Sequence, residues 1–203
     1  MGNDGVKQVL DFWFSATELD APQIDSRMER WFGGGSRTDA QIREEFGELV
    51  RRSLAGRLES WAETAEGRLA LIIVLDQFCR NIYRGTSKAF VGDRRALKLC
   101  VEGSIRGDYK ALSPIQRVFF FMPLQHSEAL NVQEKSVRIF NALAEGVSDT
   151  LRETFVTFAH FAELHRDIVA RFGRFPHRNR HLGRRNTAEE EQFLATEAPS
   201  FGQ

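Results

Sequence analysis

The stretch that decides the fold is LALIIVLDQFCRNIYRGT, residues 69–86. From Arg68 to Tyr83 it reads as a helix that is apolar on every side for two turns, the pattern of a rod buried in a core. Polar residues then arrive at helical spacing. Asp76 and Arg80 are four apart and meet on one face, while Gln77, Asn81 and Arg84 line the face beside it. The apolar run from Leu69 to Leu75 has 7 residues, against the ~20 that a membrane-spanning helix requires.

Helix signals continue in both directions. Upstream, Asn3 or Asp4 is placed to cap a first helix with Val9, Leu10, Trp13 and Phe14 on one face. A second helix starts near Pro22, carries Met28, Trp31 and Phe32, and ends at Gly33-Gly34-Gly35. Thr38 with Gln41 forms a capping box for a third, which carries Ile42, Phe46 and Leu49. Leu58 and Trp61 lie on a short turn. Downstream, a looser stretch leads to a helix over Arg94–Ile105, and Ser113-Pro114 starts another that Pro123 ends. Asn131 with Glu134 caps the next, a long helix runs from Asp149 to Phe172, and Thr187 with Glu190 caps the last. Strand signals are nearly absent. The expectation is an all-α chain of about eight to nine helices joined by short loops. It forms a single domain over 1–203, with 198–203 a frayed tail.

Composition narrows the partners. Lys plus Arg and Asp plus Glu number 28 each in 203 residues, so no global field draws nucleic acid or a membrane surface. The first residues lack a secretory signal, and Val6 stands where a myristoylation signal needs Ser or Thr. The two cysteines, Cys79 and Cys100, sit in helical patterns and read as reduced buried thiols. The expected compartment is the cytoplasm.

Three segments could carry chemistry. In the first, Asp76 pairs with Arg80, either as a buried ion pair that orients helices or as support for a ligand-facing Arg80, Asn81 and Arg84. The second is RFGRFPHRNRHLGRR, residues 171–185, which holds six arginines and two histidines with no acid. Gly173 and Pro176 mark it as loop. Arg174, His177 and Arg178 there suit an anion, or else pair with carboxylates of neighbouring helices. The third is MPLQHSE, where His126 and Glu128 follow Pro123 at a helix junction. They offer acid–base chemistry, or a structural histidine. His160 and His165 are five apart and do not share a face. No HExxH, GxGxxG, P-loop or GxSxG pattern occurs, so neither a metal nor a cofactor is implied. Cys79 inside an apolar pattern is a poor nucleophile.

The strings LDFWF, LALIIVLDQFCRNIYRGT, FFFMPLQHSE and RFGRFPHRN–HLGR occur in this order along the chain. Together they resemble the bacterial family called domain of unknown function 924, from Val9 to about Leu194. The resemblance implies a tetratricopeptide-like α-α superhelix of stacked antiparallel hairpins, and no activity, cofactor or catalytic residue. The family usually has Pro where this chain has Cys79, a change expected to restore a helical amide and straighten the helix.

Two functions of different class follow. The first is a binding module whose concave face, with Arg80, Asn81, Arg84, His126, Arg174, His177 and Arg178 backed by Asp76 and Glu128, holds an anionic small molecule or acidic peptide end. The second is an enzyme acting on a phosphorylated or carboxylated metabolite, with His126 or His177 as acid–base and arginines stabilising an oxyanion. RNA binding through Phe172, Phe175 and the arginines is disfavoured by the overall neutrality. A homo-oligomer stays open.

Overall fold

The computed structural model describes residues 2–15, 19–33 and 35–196, and every regular element among them is helical. In chain order these are α1 (Gly2–Phe14), α2 (Ala21–Phe32), α3 (Ser36–Leu54), α4 (Ala65–Ile73), α5 (Cys79–Ile82), α6 (Asp93–Arg106), α7 (Pro114–Gln125), α8 (Leu130–Glu145), α9 (Asp149–Phe172), α10 (Asn179–Leu182) and α11 (Ala188–Thr196). A π-helical turn, Val74–Phe78, joins α4 to α5, so the buried rod is continuous. The expected tail 198–203 and Gly34 lie outside the described residues. No described helix is long and apolar enough to cross a membrane.

Several local expectations are corrected. α1 already includes Asn3 and Asp4, so neither is its cap; the Asn3 side chain lies outside the description. α3 and α8 begin upstream of Thr38 and Asn131, at caps without a side-chain bond, so those two capping boxes do not form. Thr187 and Glu190 do form theirs, each bonding the other's amide. Pro123 does not stop α7, which runs on to Gln125; near a helix end it removes one hydrogen bond from a turn that is finishing anyway. Cys79 opens α5, and the π turn lies immediately before it. The stretch 171–185 is more than loop: it contains a 3-10 turn (Pro176–Arg178) and then α10.

Aromatic side chains lock the rod into place. Phe78 meets Trp13 of α1 at 5.5 Å and Phe46 of α3 at 4.8 Å between ring centres. Phe119 of α7 meets Trp13 at 5.6 Å and Trp31 of α2 at 4.9 Å. These tilted and edge-on contacts suit ring quadrupoles. The indole N–H of Trp31 also donates to the Trp13 carbonyl at 3.1 Å, fixing α2 on α1. α4 packs on α1, α6 and α7, while α8 packs between α7 and α9. The tetratricopeptide-type superhelix remains an expectation of the resemblance.

One close approach prepares the site. A Cβ at Gly92 would overlap the main-chain oxygen of Leu75, inside the π turn. Glycine therefore lets the start of α6 rest on that turn, which sets the adjacent Asp93 beside Arg80. Gly92→Ala should cost about 2 kcal/mol by overpacking, or roughly 4–8 °C in thermal midpoint for a chain of this size. An unchanged midpoint would show that α6 does not need this approach.

Candidate functional site

A π turn interrupts the regular backbone ladder, and such turns are frequent at functional sites. Here it carries Gln77 to the wall of a cavity of about 360 Å3 and holds Asp76 buried against residues of that wall. Asp76 is 1% exposed. His126 Nδ1 donates to its Oδ1 at 2.7 Å, and Gln77 Nε2 donates to its Oδ2 at 2.5 Å. Arg80 lies 3.4 Å from the same carboxylate, and its Nη1 donates to the Asp76 main-chain carbonyl at 2.9 Å. Burial alone would push the Asp76 carboxyl up. Contacts with His126, Arg80 and Gln77 outweigh it and hold the group well below the usual range.

The expected pairing of Asp76 with Arg80 is present at 3.4 Å, but Gln77 and His126 lie closer to the carboxylate. Arg80 turns its fork to Asp93, with Nη1–Oδ1 at 2.7 Å and Nη2–Oδ2 at 3.1 Å. A bidentate carboxylate takes a guanidinium better than one oxygen at 3.4 Å. Asn81 and Arg84 likewise engage Asp39, the first at 2.8 Å and the second through both oxygens at 2.7 and 3.0 Å.

Of the residues singled out in sequence, Arg80, Asn81, Arg84, His126, His177 and Arg178 all line the one cavity. Arg174 does not. Its fork holds Glu190 at 2.6 and 2.7 Å, fastening α11 and bringing the Glu190 carboxyl down to about 2. Glu128 serves the same kind of end: it accepts both prongs of Arg184 at 2.7 and 2.9 Å and the Phe175 amide at 2.8 Å. That clamp holds the segment bearing His177 and Arg178 over the cavity.

Arg178 is 6% exposed. Its guanidinium stacks between Phe90 and Phe175, at 4.8 and 4.5 Å from the ring centres. Nη1 donates to the His126 carbonyl at 3.1 Å and to Asp93, already taken by Arg80, at 3.3 Å. Nε is buried and has no hydrogen-bond partner among the described residues. Burial, and then the charge of Arg80, bring its pKa down to about 10 despite Asp93. This cation is incompletely compensated.

Apolar lining of the same cavity carries no mark in the sequence that separates it from ordinary core. Met28, Trp31 and Phe32 of α2, Met122 of α7 and Phe158 and Phe161 of α9 also line the cavity, with Phe32 and Phe158 in contact at 6.2 Å between ring centres. His165 joins the polar side, its Nδ1 donating to the Phe161 carbonyl at 2.7 Å. Burial pushes both His165 and His177 down to about 3, and it lowers His126 too, with Arg80 adding to the effect. All three imidazoles are neutral at pH 7. Among the described residues no group of three or more His, Cys, Asp or Glu is placed to hold a metal ion.

Two outcomes follow from these groups. Asp76→Ala removes the anion that faces Arg80 and His126, and should cost about 3 kcal/mol of stability; a parental thermal midpoint would mean that Asp76 is solvated. Neutral His165 makes a contribution that is complete above its ordinary value of 6.5 and is lost as pH falls towards about 3. The loss runs at about 1.4 kcal/mol per pH unit. The parent should therefore lose stability between pH 7 and 5 more steeply than His165→Gln, and equal slopes would refute the buried neutral histidine.

Comparison with known proteins agrees with this architecture. The solved structure of a protein of unknown function, ATU0120 from Agrobacterium tumefaciens, matches with a TM-score of 0.81 and 34% sequence identity, covering 96% of this chain and 98% of that one. No curated protein matches. The family model for the bacterial proteins of unknown function DUF924 matches residues 9–198, and the chain belongs to that family.

Proposed function

We propose that this chain is a cytosolic binding protein whose cavity takes a small amphipathic anion, with a carboxylate at Arg178 and an apolar body between α2 and α9. The observation that carries this reading is Arg178. A desolvated guanidinium with unused donors on a cavity wall is stabilised by any anion that reaches it. The volume of about 360 Å3 suits a small molecule, and a peptide end would fill it with one or two residues. Arg84 and Arg80 are each already matched by a carboxylate, so they shape the polar wall while Arg178 supplies the hydrogen bonds. Both cysteines are free and buried, which suits a reducing compartment.

The apolar half predicts selectivity. Hexanoate and phenylacetate should stabilise the folded protein, by about 2.7 kcal/mol at one hundred times the dissociation constant. Sulfate and phosphate at equal ionic strength should do less, and neutral phenylacetamide least. Arg178→Gln should lose the carboxylate shift. Arg174→Gln should keep it while loosening α11, because Arg174 faces Glu190 and not the cavity. A thermal-shift series decides. Equal shifts from acid and amide, or loss of the shift in Arg174→Gln, would contradict the assignment.

A further inference from the structure

The cavity contains an oriented base that ligand binding alone does not need. Asp76 fixes His126 by its Nδ1–H, so the neutral ring presents the lone pair of Nε2, which makes no hydrogen bond to any described residue. His126 forms part of the cavity wall, and Arg178 donates to its main-chain carbonyl. A base held by a carboxylate on one nitrogen, with the other nitrogen open and a cation nearby, is an arrangement for moving a proton. No Ser, Thr, Cys, Lys, Asp or Glu is among the described residues lining the cavity. Cys79 lies beneath the surface with its thiol pushed up to about 12 by burial. A covalent acyl-enzyme therefore has no hydroxyl, thiol, amine or carboxylate nucleophile, and we assign the base to act on water, with a stoichiometric burst as the mark of an acyl-imidazole instead.

We infer that this protein hydrolyses a carboxylic ester or thioester with an apolar acyl group, His126 acting as general base on a water molecule. The inference rests on the proposed binding reading, and the carboxylate assigned to Arg178 is then the product. Nε2 takes a proton from water as the water oxygen bonds to the acyl carbon, and the carbonyl electron pair moves onto oxygen beside Arg178. The tetrahedral intermediate collapses with cleavage of the bond to the leaving group, which receives the proton from Nε2. One water is consumed, and one acid and one alcohol or thiol are released, with no redox change. Arg178 stabilises the oxyanion through donors it does not spend elsewhere. His126 is the catalytic residue and Asp76 its positioning residue.

The groups facing His126 are Asp76 from the π turn, Arg80 from α5, Asp93 from α6, His165 from α9 and Arg178 from the 3-10 turn. Burial and Arg80 lower the His126 pKa, whereas Asp76 and Asp93 raise it. The rate is thus flat above the ordinary histidine range and falls only at acid pH. Removing the Asp76 charge takes away an effect that raises the pKa, so the acid limb of Asp76→Asn shifts to lower pH.

The test uses p-nitrophenyl hexanoate on the full chain, with hexanoate binding measured in parallel. Expected are saturable release proportional to protein, no stoichiometric burst, and inhibition by hexanoate. His126→Gln should lower kcat/KM by about 100-fold or more while the folded variant still binds hexanoate. Asp76→Asn should lower kcat and displace the acid limb as stated, which a merely structural role would not do. Hexanoate binding with ester release at the buffer rate overturns hydrolysis and leaves the binding reading standing. Release that persists in His126→Gln, or a burst, overturns the assignment of the base. Absence of both binding and release overturns the two together.

Discussion

An ionised carboxylate sealed beneath a cavity must be matched on every side, and Asp76 organises the site through that demand. Left alone at 1% exposure it would be protonated or unfold the rod around it. His126, Gln77 and Arg80 meet it, and each brings a different part of the molecule. His126 ties in the end of α7. Arg80 extends the network to Asp93 at the start of α6, and Asp93 in turn reaches Arg178. The π turn supports this arrangement: its Asp76 carbonyl is taken by the Arg80 side chain, and Gly92 lets α6 approach closely enough for Asp93 to serve both guanidinium groups.

Charge within this assembly is balanced. Arg80 and Arg178 face Asp76 and Asp93, Arg84 faces Asp39, and the three imidazoles are neutral. Selectivity for an anion therefore cannot come from a broad positive field, which neutrality of the whole chain also denies. It must come from local donors that the protein desolvates and leaves unused. Arg178 is the residue in that condition, because Arg80 has first claim on both oxygens of Asp93. Facing it, α2 and α9 supply apolar surface that no inorganic ion would exploit.

Much of this was legible in the sequence, and the remainder was hidden for identifiable reasons. Period and caps give the helices wherever the cap stands alone, as at Thr187 and Ser113. They mislead at Thr38 and Asn131, because upstream residues extend the helix past a valid-looking box. The polar residues that converge on the cavity were visible as chemistry out of keeping with an apolar rod or a neutral chain. Their partners were not. Asp39 is 42 residues from Asn81 and Asp93 is 85 from Arg178, and nothing local marks an acid for such distant pairing. Arg174 and Arg178 lie four apart in one motif yet part ways, since only the three-dimensional path sets Glu190 before one and a cavity before the other. His165 and the aromatic wall looked like ordinary core, and burial, not pattern, separates lining from filling.

Proton transfer at this site depends on which nitrogen of His126 carries the proton. A long-range 1H–15N correlation spectrum of the imidazoles, recorded at pH 7 and assigned with His126→Gln, reads this directly. The prediction is a neutral ring protonated at Nδ1, hydrogen-bonded to ionised Asp76, with a bare Nε2 facing the cavity. An imidazolium, or a ring protonated at Nε2, would contradict it and remove the carboxylate-held base from the site.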